Sequence, residues 1–401
     1  MMGPNFFKHN RQALTAAANG GLIVVGAYSS MQRGNDAAHK FEQEANFWYL
    51  CGINEPDWLL VVDGVADKSW LIAPDIDEVH RIFEGGMSFD QAKKISGVDS
   101  VVAAKEGDAL LRQLARTHSV VRTLDKHPAS GHFNFHLNPT QARLKAKLER
   151  IFSAVLDCRN DLAKLRAIKQ PEEIAAIKKA IKLTTDSFES VKKSLSNLAH
   201  EYEIEAEFSY AFKNKNADHA YDPIVASGVN ACTLHYTSNN QALARNQLVL
   251  MDIGARVDGY AADITRTYAR SVPTKRQAQV HNALAQAHHE IISLLKPSLS
   301  VELYQREVSN IMLKALQSLG LVKTDEQKAL RQYFPHAVSH GLGIDVHDSL
   351  GSPKVFEPNM VLTVEPGIYI PEEKIGIRIE DDILITKIGQ TNLSKHLSTE
   401  L

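Results

Sequence analysis

Short apolar runs alternate with polar, helix-compatible stretches through the first 160 or so residues. Gly21-Leu22-Ile23-Val24-Val25-Gly26, Trp58-Leu59-Leu60-Val61-Val62 and Trp70-Leu71-Ile72-Ala73 carry β-branched content and are bounded by Gly, Asp or Pro, which predicts three strands. Residues 77–83 and 107–118 have helical composition, so the alternation predicts an α/β layer domain. A Lys-, Arg-, Leu- and Ala-rich stretch from Thr140 to about Ala163 predicts a helix leading out of it. A new start follows at Pro171, which suits a first helical turn, while Glu172 and Glu173 complement its positive end. Ile174, Ile177, Ala180 and Ile181 then recur at helical spacing. The expected domains are 1–163 and 164–401.

The second part mixes helices with strands that end in acids. A helix is predicted from about Lys275 to Lys296, with capping-box spacing at Thr274 and Gln277 and a stop at Pro297. Another runs from about Val301 to Leu319, closed by Gly320. Gln247–Gly254 reads as a strand holding Asp252, Val257-Asp258-Gly259 as a turn, and Tyr260–Thr267 as a second strand holding Asp263. Folding this hairpin about Asp258 brings the two acids nearly opposite each other. Met360–Val364 runs into Glu365 and a Pro-Gly turn. In the strand 376–383, Arg378 and Glu380 share one face by period two.

Composition narrows the class. The chain has 401 residues, 44% of them hydrophobic and 23% charged, which suits a soluble protein of two domains. A net charge of −2 offers no field for nucleic acid or an anionic membrane. Cys51, Cys158 and Cys232 are odd in number and form no CxxC pair, so free thiols in a reducing compartment are expected. With no secretory leader and no apolar run of ~20 residues, the expected compartment is the cytoplasm.

The chemistry is concentrated in Asp252, Asp263, His340, Glu365 and Glu380. Any one of them could be a solvated acid or a packed histidine. Together they form a hard, carboxylate-rich donor set with one imidazole, which suits a pair of divalent ions and metal-assisted hydrolysis. Such a set favours manganese, cobalt, iron or zinc over copper. His336 and His340 are four apart but Ala337 occupies the glutamate position of a zincin helix, and Gly341 and Gly343 point to tight backbone near a site. Asp381 and Asp382 read as orienting or solvated acids. His127, His132, His136, His288 and His289 read as solvated or packing residues, and Trp48, Trp58 and Trp70 as core or domain contacts.

The ordered motifs, Asp252 in MDIGA, Asp263 in ADITRT, His340 in SHGLG, Glu365 in TVEPG and Glu380 in IRIEDD, resemble the pita-bread metallopeptidases. Ile224–Tyr236, Asn46–Gly52 and Asn54-Glu55-Pro56 are most similar to the aminopeptidase P and Xaa-Pro dipeptidase branch. The resemblance implies a creatinase-like, three-layer α/β N-terminal domain that helps form the oligomer and the substrate pocket, and an α+β pita-bread catalytic domain. It implies two divalent ions, manganese foremost with cobalt, zinc or iron as alternatives. Asp252 and Asp263 would hold one ion, Asp263 and Glu380 would bridge to the second, and His340 and Glu365 would complete it. His235, His336, His347 and Arg378 match the family's substrate site, with Glu365, His235 and His347 in catalytic roles. The implied reaction is hydrolysis before a proline in second position by a hydroxide shared between the ions, in a homodimer or homotetramer. A strict Xaa-Pro dipeptidase is the alternative. A non-catalytic pita-bread binding protein is disfavoured because all five ligand positions are kept. The stretch from Glu365 to Arg378 is shorter than in typical bacterial aminopeptidase P, which bears on substrate length.

Overall fold

A computed structural model describes residues 2–125, 127–131, 135–323 and 327–401. They fall into two compact units, Met1–Leu165 and Arg166–Leu401. The first carries a six-stranded mixed sheet in the order Ser100–Val102, Lys68–Ile72, Leu59–Asp63, Leu22–Gly26, Val120–Thr123, Ala154–Asp157. Its middle is antiparallel and its outer strands are added in parallel. All five residues of Leu22–Gly26 are buried, so both faces of the sheet are covered, as a run without polar alternation requires. Leu22 and Val24 pack against Leu111 and Leu114 of helix Ala104–Leu114 and Leu144 and Leu148 of helix Thr140–Glu149. Buried Arg11, on helix Pro4–Ala17, donates to the carbonyls of Leu50, Ser96 and Gly97 and so satisfies the C-terminal ends of two further helices.

The single helix expected over 140–163 is instead two, Thr140–Glu149 and Arg159–Ala167, with strand Ala154–Asp157 between them. Phe152 enters the core and Val155 pairs beside Val121, so tertiary pairing overrides local helical composition.

In the second unit the helices begin where their caps predict. Glu173 accepts from the Gln170 N–H (2.8 Å) at the start of Pro171–Ser194, and Thr274 and Gln277 cap Lys275–Leu294 reciprocally. Val301–Ser318 ends before Gly320, which has φ 72°. Helix Glu201–Lys213 packs on Pro171–Ser194, and Val301–Ser318 on Lys275–Leu294. The strands form small antiparallel sheets: Ile224–Ser227, Leu248–Ile253 and Ile264–Ala269; Val361–Val364, Asp381–Ile385 and Gln390–Asn392; and the hairpin Gly367–Ile370 with Ile375–Arg378. Among the described residues no helix is long and apolar enough to cross a membrane.

Cys51 and Cys158 are buried, Cys232 is half-buried, and all three are free. Trp58 is buried and Trp48 and Trp70 partly so, with Trp48 edge-on to Phe7. His288 is buried, His127, His136 and His289 are exposed, and His132 lies outside the described residues.

Candidate active site

Two expected strands are each broken, and the breaks hold acids. Asp263 sits between Tyr260–Ala261 and Ile264–Ala269, and Glu380 between Ile375–Arg378 and Asp381–Ile385. At each break the ribbon bends from one sheet into another, which re-aims a side chain. The turn at Asp258 and Gly259 has positive φ at both residues (52° and 88°), as a two-residue hairpin turn requires. The register Val257↔Tyr260 continues as Ile253↔Ile264 and Thr265↔Asp252. Asp252 and Asp263 are therefore diagonal neighbours on one face.

A second ribbon does the same. Val364 pairs with Asp381 and Gly367 with Arg378, so Glu365 and Glu380 fall opposite each other in the gap between the two pairings. The expected Pro-Gly reversal after Glu365 is instead a kink, because Gly367 starts the next strand of the same ribbon. The His340 loop is laced to this ribbon. Thr363 N–H donates to the His340 carbonyl (2.9 Å), and Glu365 N–H donates to Val338 (2.9 Å). The close approach expected around Gly341 and Gly343 has a specific cause. A Cβ on either would collide with Asp348, which folds back to donate its N–H to the Gly341 carbonyl (2.9 Å).

These elements bring all five expected donors together. Asp263, His340 and Glu380 offer ligand atoms within 4.8 Å of one another. His340 Nε2 lies 3.4 Å from Asp263 and 3.3 Å from Glu365. Tyr221 Oη reaches Asp252 (2.5 Å) and Asp263 (2.6 Å), but one hydroxyl proton can serve only one of the two carboxylates. Thr265 donates to Glu380 (2.6 Å). Arg378 donates from Nη2 to Asp252 (2.5 Å), from Nε to Thr265 (3.2 Å) and from Nη1 to Tyr369 (3.0 Å).

Electrostatics mark the cluster as short of positive charge. Burial and nearby carboxylates push Asp263 up, carry Glu365 up to about 7 and raise Glu380 well above the ordinary range. Burial alone would lower His340, but Asp263 and Glu365 outweigh it and bring it up to about 9. Crowded hard oxygen donors with one imidazole, too acidic for the local cations to neutralise, fit divalent metal ions. Burial and Arg378 lower His336 to about 4; partial burial, His340 and His235 do the same to His347.

The four other expected site residues surround the cluster. The His347 ring lies 4.3 Å from that of His340, tilted by 59°, and His336 Nε2 contacts Tyr369 Oη (2.9 Å). His235 is exposed, while Arg378 is buried with its guanidinium nitrogens engaged by protein groups. Asp381 and Asp382 are fully buried rather than solvated, and Asp382 accepts from the Asp263 N–H (3.2 Å). Sequence reading missed Tyr221, Thr265 and Tyr369, whose hydroxyls tie the acids, Arg378 and His336 together. Thr265 was within reach, since it lies two residues from Asp263 on the same strand face. Tyr221 and Tyr369 carry no local signal.

Residues 175–387 match metallopeptidase family M24, and residues 7–122 match the aminopeptidase P N-terminal domain. The Xaa-Pro aminopeptidase of Escherichia coli strain K12 is 33% identical over 97% of this chain and 94% of its own length. Xaa-Pro aminopeptidase 3 of Homo sapiens is 32% identical over 94% of this chain and 79% of its own. Two solved structures are similar throughout. E. coli aminopeptidase P with the inhibitor Pro-Leu has a TM-score of 0.87 at 32% identity, over 99% of this chain and 96% of that one. Proline aminopeptidase P II from Yersinia pestis has a TM-score of 0.86 at 31% identity, over 99% and 97%. With its acid-rich cluster on a matching pita-bread domain, the chain belongs to the aminopeptidase P branch of metallopeptidase family M24.

Proposed function

We propose that this enzyme removes an N-terminal residue from peptides with proline in second position, using two divalent ions, with manganese the preferred metal. The observation that carries the reading is the convergence of Asp252, Asp263, His340, Glu365 and Glu380 from separate strands and a loop. When bound, such a pair of ions supplies Lewis acidity and lowers the pKa of a water. Asp252, Asp263, His340, Glu365 and Glu380 would hold the ions.

The chain's own residues do the rest. Arg378, through Asp252 and Tyr369, and His336, through Tyr369, fix the pocket wall. Glu365 takes a proton from the attacking water and returns it to the proline nitrogen, which has no N–H of its own. His347 and His235 hydrogen-bond the substrate and the tetrahedral carbon's oxygen. The test is a panel of Xaa-Pro, Xaa-Pro-Yaa and Xaa-Ala-Yaa peptides with manganese, cobalt or zinc. The expected result is fastest cleavage of Xaa-Pro-Yaa with manganese. Equal cleavage of the alanine series sinks proline specificity, and cleavage of Xaa-Pro alone makes the enzyme a dipeptidase.

We also propose a homodimer or homotetramer in the cytoplasm. Helix Glu78–Glu84 buries none of its residues yet exposes Val79, Ile82 and Phe83, the last at 79%. Three free thiols support a reducing compartment. Phe83→Asp is expected to shift the light-scattering mass toward the monomer; an unchanged mass removes this helix from the interface.

A further inference from the structure

Glu201 opens helix Glu201–Lys213 and is fully buried. Its carboxylate accepts five hydrogen bonds, all from neutral donors. Oε1 takes Ser227 N–H (2.8 Å), Ser227 Oγ (2.7 Å) and Asn230 Nδ2 (3.2 Å), while Oε2 takes Tyr236 Oη (2.9 Å) and Gln241 N–H (3.0 Å). Every donor belongs to one segment, 227–241. Its two ends meet at this side chain, and the Glu201 N–H closes the neck by donating to the Gln241 carbonyl (3.0 Å). One helical turn on, Glu205 accepts from buried Asn239 (2.8 Å), whose Oδ1 accepts from Val225 N–H (2.9 Å).

Between the anchors lie a 3-10 turn, Gly228–Cys232, and exposed His235, next to anchored Tyr236. The turn is seated on strand Ile375–Arg378, where Cys232 Sγ donates to the Ile375 carbonyl (3.4 Å). A buried carboxylate whose partners among the described residues are all neutral is costly, and its position at a helix N-terminus together with five donors offsets that cost. An apolar residue would leave the Ser227 and Gln241 N–H groups without an acceptor, so the carboxylate is what holds the loop's two ends in register.

We infer that Glu201 is a positioning residue: it holds the neck of the 227–241 loop so that His235 is presented to the substrate. This rests on His235 contacting substrate, as proposed above. A misplacement of about 1 Å costs ~10²-fold in rate. Glu201→Gln keeps the shape but turns an amide donor toward one pair of donors.

The experiment compares wild type, Glu201→Gln, His235→Ala and the double variant in kcat/KM for an Xaa-Pro-Yaa peptide, manganese per chain, and hydrogen exchange over 228–241. Glu201→Gln is expected to lower kcat/KM by ~10- to 100-fold with manganese unchanged and with faster exchange in that loop but not in helix Lys275–Leu294. In the His235→Ala background it is expected to cost less than ~2-fold more, because both changes remove one contribution. Losses that multiply, or exchange that stays unchanged, overturn the inference. Should Glu201→Gln fail to fold, Tyr236→Phe removes one bond and leaves the carboxylate; its expected ~3-fold loss vanishes in the His235→Ala background, and persistence there overturns the inference. A wild-type chain that binds manganese but cleaves no Xaa-Pro peptide sinks the functional reading, while loop exchange in Glu201→Gln still decides the positioning role.

Discussion

Glu380 and Asp381 are neighbours in the chain, equally buried, and opposite in fate. Asp381 meets Arg266 (2.7 Å), Ser394 (2.6 Å) and Asn392 (2.7 Å), and Arg266 also donates to the Leu397 and Ser398 carbonyls. Burial alone would raise Asp381, but Arg266, His288 and Ser394 hold it below the usual carboxylate range. Glu380 meets Thr265 on one oxygen and faces Asp263 and Glu365, and it is driven far up. One cluster is neutralised from within and so serves structure. The other carries acid in surplus and calls for cations from outside. The two are joined, because Arg266 Nη1 also donates to the Glu380 carbonyl (2.7 Å) and fixes its backbone from behind.

The sharpest way to break this contrast is Asp263→Asn. It is expected to abolish stoichiometric metal uptake and lower kcat/KM by at least ~10³-fold, while leaving the metal-free Tm unchanged or higher, since a repelling charge is gone. Full activity in chelated wild-type protein would end the metal hypothesis. Asp381→Asn tests the other side. It strands buried Arg266 and is expected to cost ~3–5 kcal/mol in denaturant unfolding, with metal uptake retained below the transition. Loss of metal without loss of stability would reverse the assignment. His347→Ala is expected to lower turnover by ~10²-fold with metal content intact, and parallel loss of metal would make His347 structural.

The smallest effect is a difference in the sign of a slope. Without metal, folded Glu365 holds its proton up to about 7 while the unfolded side chain releases it near 4.5. The folded state then binds more protons across that window, so its contribution to stability falls as pH rises from 4.5 to 7. Manganese, which takes the deprotonated ligands, should raise Tm most at the alkaline end. Parallel Tm–pH curves with manganese and with chelator would contradict this.

Much of the architecture was legible because its signals are local. Thr274 with Gln277, Gly320, Asp258-Gly259 and the run from Leu22 to Val25 each dictate a cap, a turn or a strand through their own chemistry. Helix Ala45–Cys51 and strand Ala154–Asp157 were not, because the first depends on packing against helices Pro4–Ala17 and Phe89–Ser96 and the second on pairing beside Val120–Thr123. The acids and the imidazole of the site were visible in short motifs, but their partners were not. Tyr221 lies 31 residues from Asp252, and Arg378 lies 126 from it.

By itself, then, the chain's order of side chains determined which groups can bind a cation and where helices and turns begin, since those choices depend on neighbours within a turn or two. Tertiary structure alone decided that Glu365 would stand opposite Glu380, that Asp381 would be quenched while Glu380 was not, and that Glu201 would gather a loop. Each of these depends on register and burial, which are set by strands and helices distant in the chain.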